Sequence, residues 1–117
     1  MTNVNPSYFD NFVFDFYSAL FSGASLVPFK REHVTNPKIL LDCINVLGCT
    51  SWFSVPTMLI YLQNLRALNA FQMVKMRRII FGGEGYPKVK LAELYKVFGN
   101  RVQFFNVYGP TECTCIC

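Results

Sequence analysis

Arg78-Ile79-Ile80-Phe81-Gly82-Gly83-Glu84-Gly85-Tyr86-Pro87 sets a short apolar run directly before a glycine turn, with a proline close behind. The run from Arg78 to Phe81 reads as a strand, ended by Gly82-Gly83, since glycine tolerates the backbone angles a sharp turn needs. Pro87 suits the first turn of a helix, where its fixed φ fits and its missing N–H is not required. That helix turns Val89, Leu91, Leu94 and Val97 inward and stops at Gly99-Asn100, and Val102 to Phe105 follows as the next strand. The same alternation extends toward the amino terminus. Apolar residues recur at helical spacing from Phe12 to Phe21 and stop at Gly23, after which Ala24 to Phe29 reads as a buried strand. Asn36-Pro37 opens a helix through Ile39, Leu40, Cys43, Ile44 and Leu47 to Gly48, with asparagine as cap. Thr50 to Ser54 is a strand, and Pro56 starts a helix through Met58, Leu59, Leu62 and Leu65. Strands alternating with helices predict an α/β fold with a parallel sheet and ligands at the carboxyl ends of its strands. No internal repeat or low-complexity linker interrupts the pattern.

The chain has 117 residues, 52% hydrophobic, 16% aromatic and 15% charged, the composition of one core-rich globular unit. A net charge of +4 is small and scattered, which argues against a nucleic-acid partner. Lys75, Arg77 and Arg78 form the densest basic cluster, and Lys88, Lys90 and Lys96 read as the solvated side of a helix. No apolar run reaches the roughly 18 residues of a membrane span. The start lacks basic residues before an apolar stretch, so a cytoplasmic location is expected. Cys43, Cys49, Cys113, Cys115 and Cys117 include no Cys-x-x-Cys pair, and His33 is remote in sequence. Free, reduced, mostly buried thiols are therefore expected in place of a zinc site or a disulfide framework.

The densest chemistry lies in Asn106-Val107-Tyr108-Gly109-Pro110-Thr111-Glu112. Gly109-Pro110 forces a tight turn and holds the flanking side chains still. A ring can cover a purine face and an amide can read its polar edge. A hydroxyl and a carboxylate can meet phosphate oxygens and a magnesium ion, which prefers oxygen ligands. Both this motif and the Gly82 turn follow strands, so the layout puts them on the same rim.

Asn106-x-Tyr108-Gly109-Pro110-Thr111-Glu112 resembles the adenine- and magnesium-contacting motif of the adenylate-forming (AMP-binding) superfamily, which includes acyl-CoA synthetases, luciferases and peptide-synthetase adenylation domains. Phe9-Asp10-Asn11-Phe12-Val13-Phe14-Asp15-Phe16-Tyr17 resembles the Phe-Asp-x-Ser block of the branch that activates amino acids, including D-alanine–carrier-protein ligases. Phe81-Gly82-Gly83-Glu84-Gly85-Tyr86-Pro87 resembles that family's glycine-rich turn against the nucleotide. The family's phosphate-gripping loop and its downstream ribose-binding aspartate, hinge and catalytic lysine have no counterpart here. The resemblance thus implies one partial adenylation domain over residues 1–117, the central segment of a large amino-terminal domain.

The function the resemblance implies is ATP-dependent activation of an amino acid as its aminoacyl-adenylate, with transfer to the phosphopantetheine thiol of a carrier protein. By the same resemblance ATP/AMP and Mg2+ are the bound groups. Gly82, Gly83, Glu84, Asn106, Tyr108, Gly109 and Thr111 would hold the nucleotide. Thr111 and Glu112 would serve the reaction, with Glu112 on the metal. Asp10 would bind the substrate ammonium, a pairing that makes sense where a lone ammonium would be costly. Its competing role is to cap the helix that begins near Asn11. Asn11, Phe14, Phe53, Ile80, Gly82, Val107, Cys115 and Ile116 would line a mostly apolar side-chain pocket. A small or apolar amino acid is expected. Phe14-Asp15-Phe16-Tyr17 resembles the D-alanine ligase version of the block, which favours D-alanine or another short residue. Phe12 stands where the family has serine or a similar small residue, a departure that bears on pocket shape. Two other readings stand beside this one: a fragment of an acyl- or aryl-CoA ligase, which has no need of Asp10, and a truncated, non-catalytic remnant.

Overall fold

The computed structural model describes residues 1–109. Thr111, Glu112, Cys113, Cys115, Ile116 and Cys117 lie outside the described residues, and with them part of the expected site. In chain order the elements are β1 (Thr2–Asn3), α1 (Asp10–Ser22), β2 (Val27–Pro28), α2 (Arg31–Val34) and α3 (Pro37–Val46). They continue with β3 (Ser51–Ser54), α4 (Pro56–Asn64), β4 (Arg78–Gly82), α5 (Lys88–Phe98) and β5 (Gln103–Val107). Among the described residues no helix is long and apolar enough to cross a membrane.

β3, β4 and β5 pair in that order as a parallel sheet, and β1 pairs with β2 in a separate two-stranded one. The register sets Trp52, Ile79 and Phe104 side by side, and Phe53, Ile80 and Phe105 in the next row. Because side chains alternate along a strand and paired residues of a parallel sheet share a face, these rows face opposite ways. Trp52, Ile79 and Phe81 point into the main core with Leu40, Leu41 and Ile44 of α3, Leu59 and Leu62 of α4, and Leu94 and Phe98 of α5. Each such fully buried side chain contributes about 1.5–3 kcal/mol from apolar burial. The other row is covered in part by α1, whose Phe14 meets Phe53 edge-on at 4.9 Å between ring centroids. The sheet therefore has helices on both faces, as expected of a parallel sheet.

Local sequence explains most element ends. Gly23 closes α1 in the left-handed conformation at φ 68°, with its N–H bonded to the Ala19 carbonyl. Asn36 Oδ1 accepts from the Ile39 N–H at 3.3 Å, capping α3 behind Pro37. Arg101 donates to the carbonyls of Gln72 and Met73, each at 2.6 Å, and lies 5.0 Å above the Phe98 ring. It thereby ties the loop after α4 to the connection between α5 and β5.

Several expectations need correction. The strand over Ala24 to Phe29 shrinks to Val27–Pro28 and is not buried. It borders only the two residues of β1, and Pro28 has no N–H to extend the ladder. The helix expected through Leu47 to Gly48 ends at Val46, with Leu47 as its cap, and its buried face carries Leu40, Leu41 and Ile44. In α5 Val89 is exposed, and Phe98 takes the buried place at the far end. β1 and α2 carry no periodicity long enough to read from sequence. Cys49 is buried and Cys43 half-buried, and both are free thiols. Burial pushes the Cys49 thiol further above its ordinary range, so it stays protonated.

Candidate functional site

Two adjoining cavities lie at the carboxyl ends of β3, β4 and β5. The first, of about 310 Å3, is lined by Asp10 and Asn11 from α1, by Phe53 and Val55, and by Gly82, Gly83 and Glu84. Val107 at the end of β5 and Gly109 just after it close one side, and Asn5, Pro6 and Phe9 close it from the chain before α1. The second, of about 290 Å3, runs between Gly83, Glu84 and Gly85 on one side and Asn106, Val107, Tyr108 and Gly109 on the other. Gly83, Glu84, Val107 and Gly109 border both.

The sheet register explains which expected residues meet. Phe53 and Ile80 stand opposite each other, as do Gly82 and Val107 two residues further on, so all four share the face covered by α1. Asp10 and Asn11 reach the same space from the first turn of that helix. Ile80 is buried one step below the cavity, and Phe14 stands behind Phe53, the ring it packs against. The nucleotide candidates Gly83, Glu84, Asn106, Tyr108 and Gly109 all border the second cavity, and Tyr108 is 80% exposed there.

Individual geometry refines the roles. Gly82 is required by its neighbour: a Cβ there would meet the Val107 carbonyl oxygen at 2.3 Å and Val107 Cγ2 at 2.7 Å. Gly83 turns at φ 88°, a conformation residues with side chains rarely adopt. Glu84 Oε2 accepts from the Thr57 N–H at 3.1 Å and from the Thr57 hydroxyl, so the carboxylate satisfies the amino end of α4 and its dipole. That contact pins the turn between the two cavities. Asp10 Oδ1 accepts from the Asn11 N–H at 2.9 Å, whereas the residue preceding the helix, Phe9, offers no side-chain cap. Tyr86 anchors the following segment, donating to Gln63 Oε1 at 2.9 Å with its ring edge-on to Phe81. Burial, helped by Glu93, pushes its phenol up to about 12.

Sequence reasoning gave no role to the polar group behind the first cavity. Asp15 is fully buried, and its Oδ2 accepts from Asn3 Nδ2 at 3.2 Å and from Asn5 Nδ2 at 3.0 Å. Its Oδ1 is buried without a partner. Burial raises this carboxyl from 3.8 to about 7, against the opposing pull of the two amides. Asn5 also donates to the Phe53 carbonyl at 3.0 Å, which fastens the cavity wall to the buried acid. The signal in sequence was an acidic residue inside an aromatic helix, with two asparagines shortly before it.

The arrangement suits a ligand with an apolar part and a cationic end in the first cavity, joined to a planar group in the second. Among the described residues no cluster of three or more His, Cys, Asp or Glu side chains could hold a metal ion. The model of the family described as AMP-binding enzyme matches residues 1–117. An L-proline–[L-prolyl-carrier protein] ligase of Pseudomonas fluorescens is 31% identical over 110 residues, 94% of this chain and 22% of that protein. A D-alanine–D-alanyl carrier protein ligase of Listeria monocytogenes is 33% identical over 112 residues, 96% of this chain and 22% of that protein. Among solved structures, the Vibrio cholerae adenylation domain AlmE in complex with glycyl-adenosine-5′-phosphate is similar with a TM-score of 0.85 and 25% identity, over 98% of this chain and 21% of that one. This chain thus spans about a fifth of the length of these relatives. On the match along its whole length, the chain belongs to the AMP-binding enzyme family, with the α/β architecture of an adenylation domain.

Proposed function

We propose that the protein activates an amino acid as its aminoacyl-adenylate and passes it to a carrier-protein thiol, and that residues 1–117 form the central segment of the adenylation domain that does so. The observation that carries this reading is one cavity that joins Asp10 to the Gly82–Glu84 turn and to Val107 and Gly109. Apolar walls with a carboxylate at one end suit an α-ammonium acid. In the reaction, a substrate carboxylate oxygen bonds to the α-phosphorus of ATP, the bond from that phosphorus to the bridging oxygen breaks, and pyrophosphate leaves with the electron pair. The carrier thiol then takes the acyl group, and AMP departs.

The roles follow from position. Asp10 holds the ammonium, and Phe53, Gly82 and Val107 border the side chain, with Phe14 and Ile80 behind them. Gly83, Gly109, Asn106 and Tyr108 receive adenine and ribose, while Glu84 acts by pinning the turn. Thr111 and Glu112, which family resemblance assigns to phosphate and Mg2+, complete the set. A magnesium ion held by Glu112 would neutralise phosphate charge as pyrophosphate leaves. The names of the two carrier-protein ligases support the acceptor, and the glycyl-adenylate complex supports a small amino acid. A cytoplasmic site of action fits an ATP-dependent reaction.

The test is amino-acid-dependent ATP–pyrophosphate exchange on the full-length protein, screening the common L-amino acids and D-alanine. Exchange with one small or apolar amino acid is expected. Asp10→Ala should cut kcat/KM by about 100-fold or more, as removing one partner of a buried charge pair does. Exchange with simple carboxylic acids only, unchanged in Asp10→Ala, would point to an acyl- or aryl-CoA ligase. No exchange with any acid would refute activation altogether.

A further inference from the structure

Asn5 borders the first cavity, yet no part of the family resemblance above assigns it a role. The polar side chains around that cavity are Asn5, Asp10, Asn11 and Glu84, and no lysine, arginine or histidine is among its described lining. Glu84 is engaged with Thr57 at the amino end of α4. Asn5 is fixed in orientation: its Nδ2 donates both to Asp15 Oδ2 at 3.0 Å and to the Phe53 carbonyl at 3.0 Å. A backbone carbonyl only accepts, so the amide nitrogen must face it, and the assignment of nitrogen and oxygen follows from the partners. Oδ1 takes no hydrogen bond among the described residues and is not among the buried unpartnered atoms. Asn5 borders this cavity, which also holds Asp10, and a second one lined by Val4, Phe29 and Arg31, and its amide oxygen is left without a partner among the described residues.

An ammonium carries three N–H donors and needs more than one acceptor once it leaves water. A carboxylate from one side leaves donors over, and a fixed neutral oxygen can take one without adding charge. We propose that Asn5 is a second substrate-ammonium ligand, its amide oxygen accepting from the α-ammonium beside Asp10, with Asp15 and the Phe53 carbonyl holding the amide in that orientation. This rests on the amino-acid-activating reading above. It makes Asp15 a positioning residue, which acts on the substrate only through Asn5.

The test uses the full-length protein and two non-hydrolysable acyl-sulfamoyl adenosines built on the amino acid that supports exchange. One keeps the α-ammonium, and the other has hydrogen in its place. In Asn5→Ala, the inhibition constant of the first should rise about 10- to 100-fold, the range for losing a hydrogen bond to a charged group, while that of the second stays the same. KM for the amino acid should rise in step, with kcat and KM for ATP unchanged. Should Asn5→Ala fail to fold, the polar Asn5→Ser, whose hydroxyl ends one bond short of the amide oxygen, withdraws the same contact, and the same split is expected. Equal weakening of both analogues, or of neither, would overturn the role of Asn5 and leave amino-acid activation standing. A wild-type protein without amino-acid-dependent exchange would overturn both.

Discussion

Gly82 leaves no room for a side chain where β4 passes Val107, and the consequence is measurable. Gly82→Ala would force a methyl group to within 2.3 Å of a backbone oxygen, which can yield only by shifting β5. A loss of about 1–3 kcal/mol is expected, seen as a drop of several degrees in Tm. An unchanged Tm would mean that the two strands do not approach so closely. Asp15 gives a pH signature. Its carboxyl, raised from 3.8 to about 7, binds a proton more tightly folded than unfolded. The stability this supplies is complete below about pH 4 and is lost as pH rises through about 7, a contribution on the order of 4 kcal/mol. Asp15→Asn should flatten that part of the stability profile in chemical denaturation measured from pH 4 to 8. A profile identical to wild type would show that Asp15 titrates normally.

At the scale of elements, the loop between α4 and β4 depends on a residue outside it. Met73 is buried with φ at 51°, unusual for a residue with a side chain, and Arg101 bonds its carbonyl and that of Gln72. Arg101→Ala should cost about 1–3 kcal/mol and raise amide hydrogen exchange through residues 65–77. Unaltered exchange there would mean that the loop holds itself. The central strands and the helices between them were legible in sequence because apolar runs, proline starts and glycine stops agreed, as at Asn36-Pro37 and Gly23. The faces of α3 and α5 were less so. Leu41 and Phe98 are buried and Ile39 and Val89 exposed because tertiary contacts choose among apolar residues that spacing alone treats alike. Within the site, residues in recognisable motifs could be named in advance. Asn5, Pro6, Phe9 and Val55 line the same cavity but come from the approaches to α1 and α4, where only the folded chain brings them together.

At the scale of the whole molecule, apolar surface remains uncovered. Tyr8, Phe9, Phe16, Tyr17, Leu20 and Phe21 are exposed in or beside α1, and Phe105 is exposed on the sheet face that α1 leaves open. Tyr8 meets Phe9, and Tyr17 meets both Phe16 and Phe21, ring to ring, so part of this exposed apolar surface is continuous along α1. On the proposed function, the cavity beside α1 and the cavity at the end of β5 form one site, with the amino acid in the first and adenosine in the second. A crystal structure of the full-length protein with the aminoacyl-sulfamoyl adenosine of its substrate tests this most directly. The ammonium is expected within hydrogen-bonding distance of Asp10, the side chain against Phe53 and Val107, and the adenine between the Gly83–Gly85 turn and Tyr108. An ammonium remote from Asp10, or adenine bound away from that turn, would contradict it.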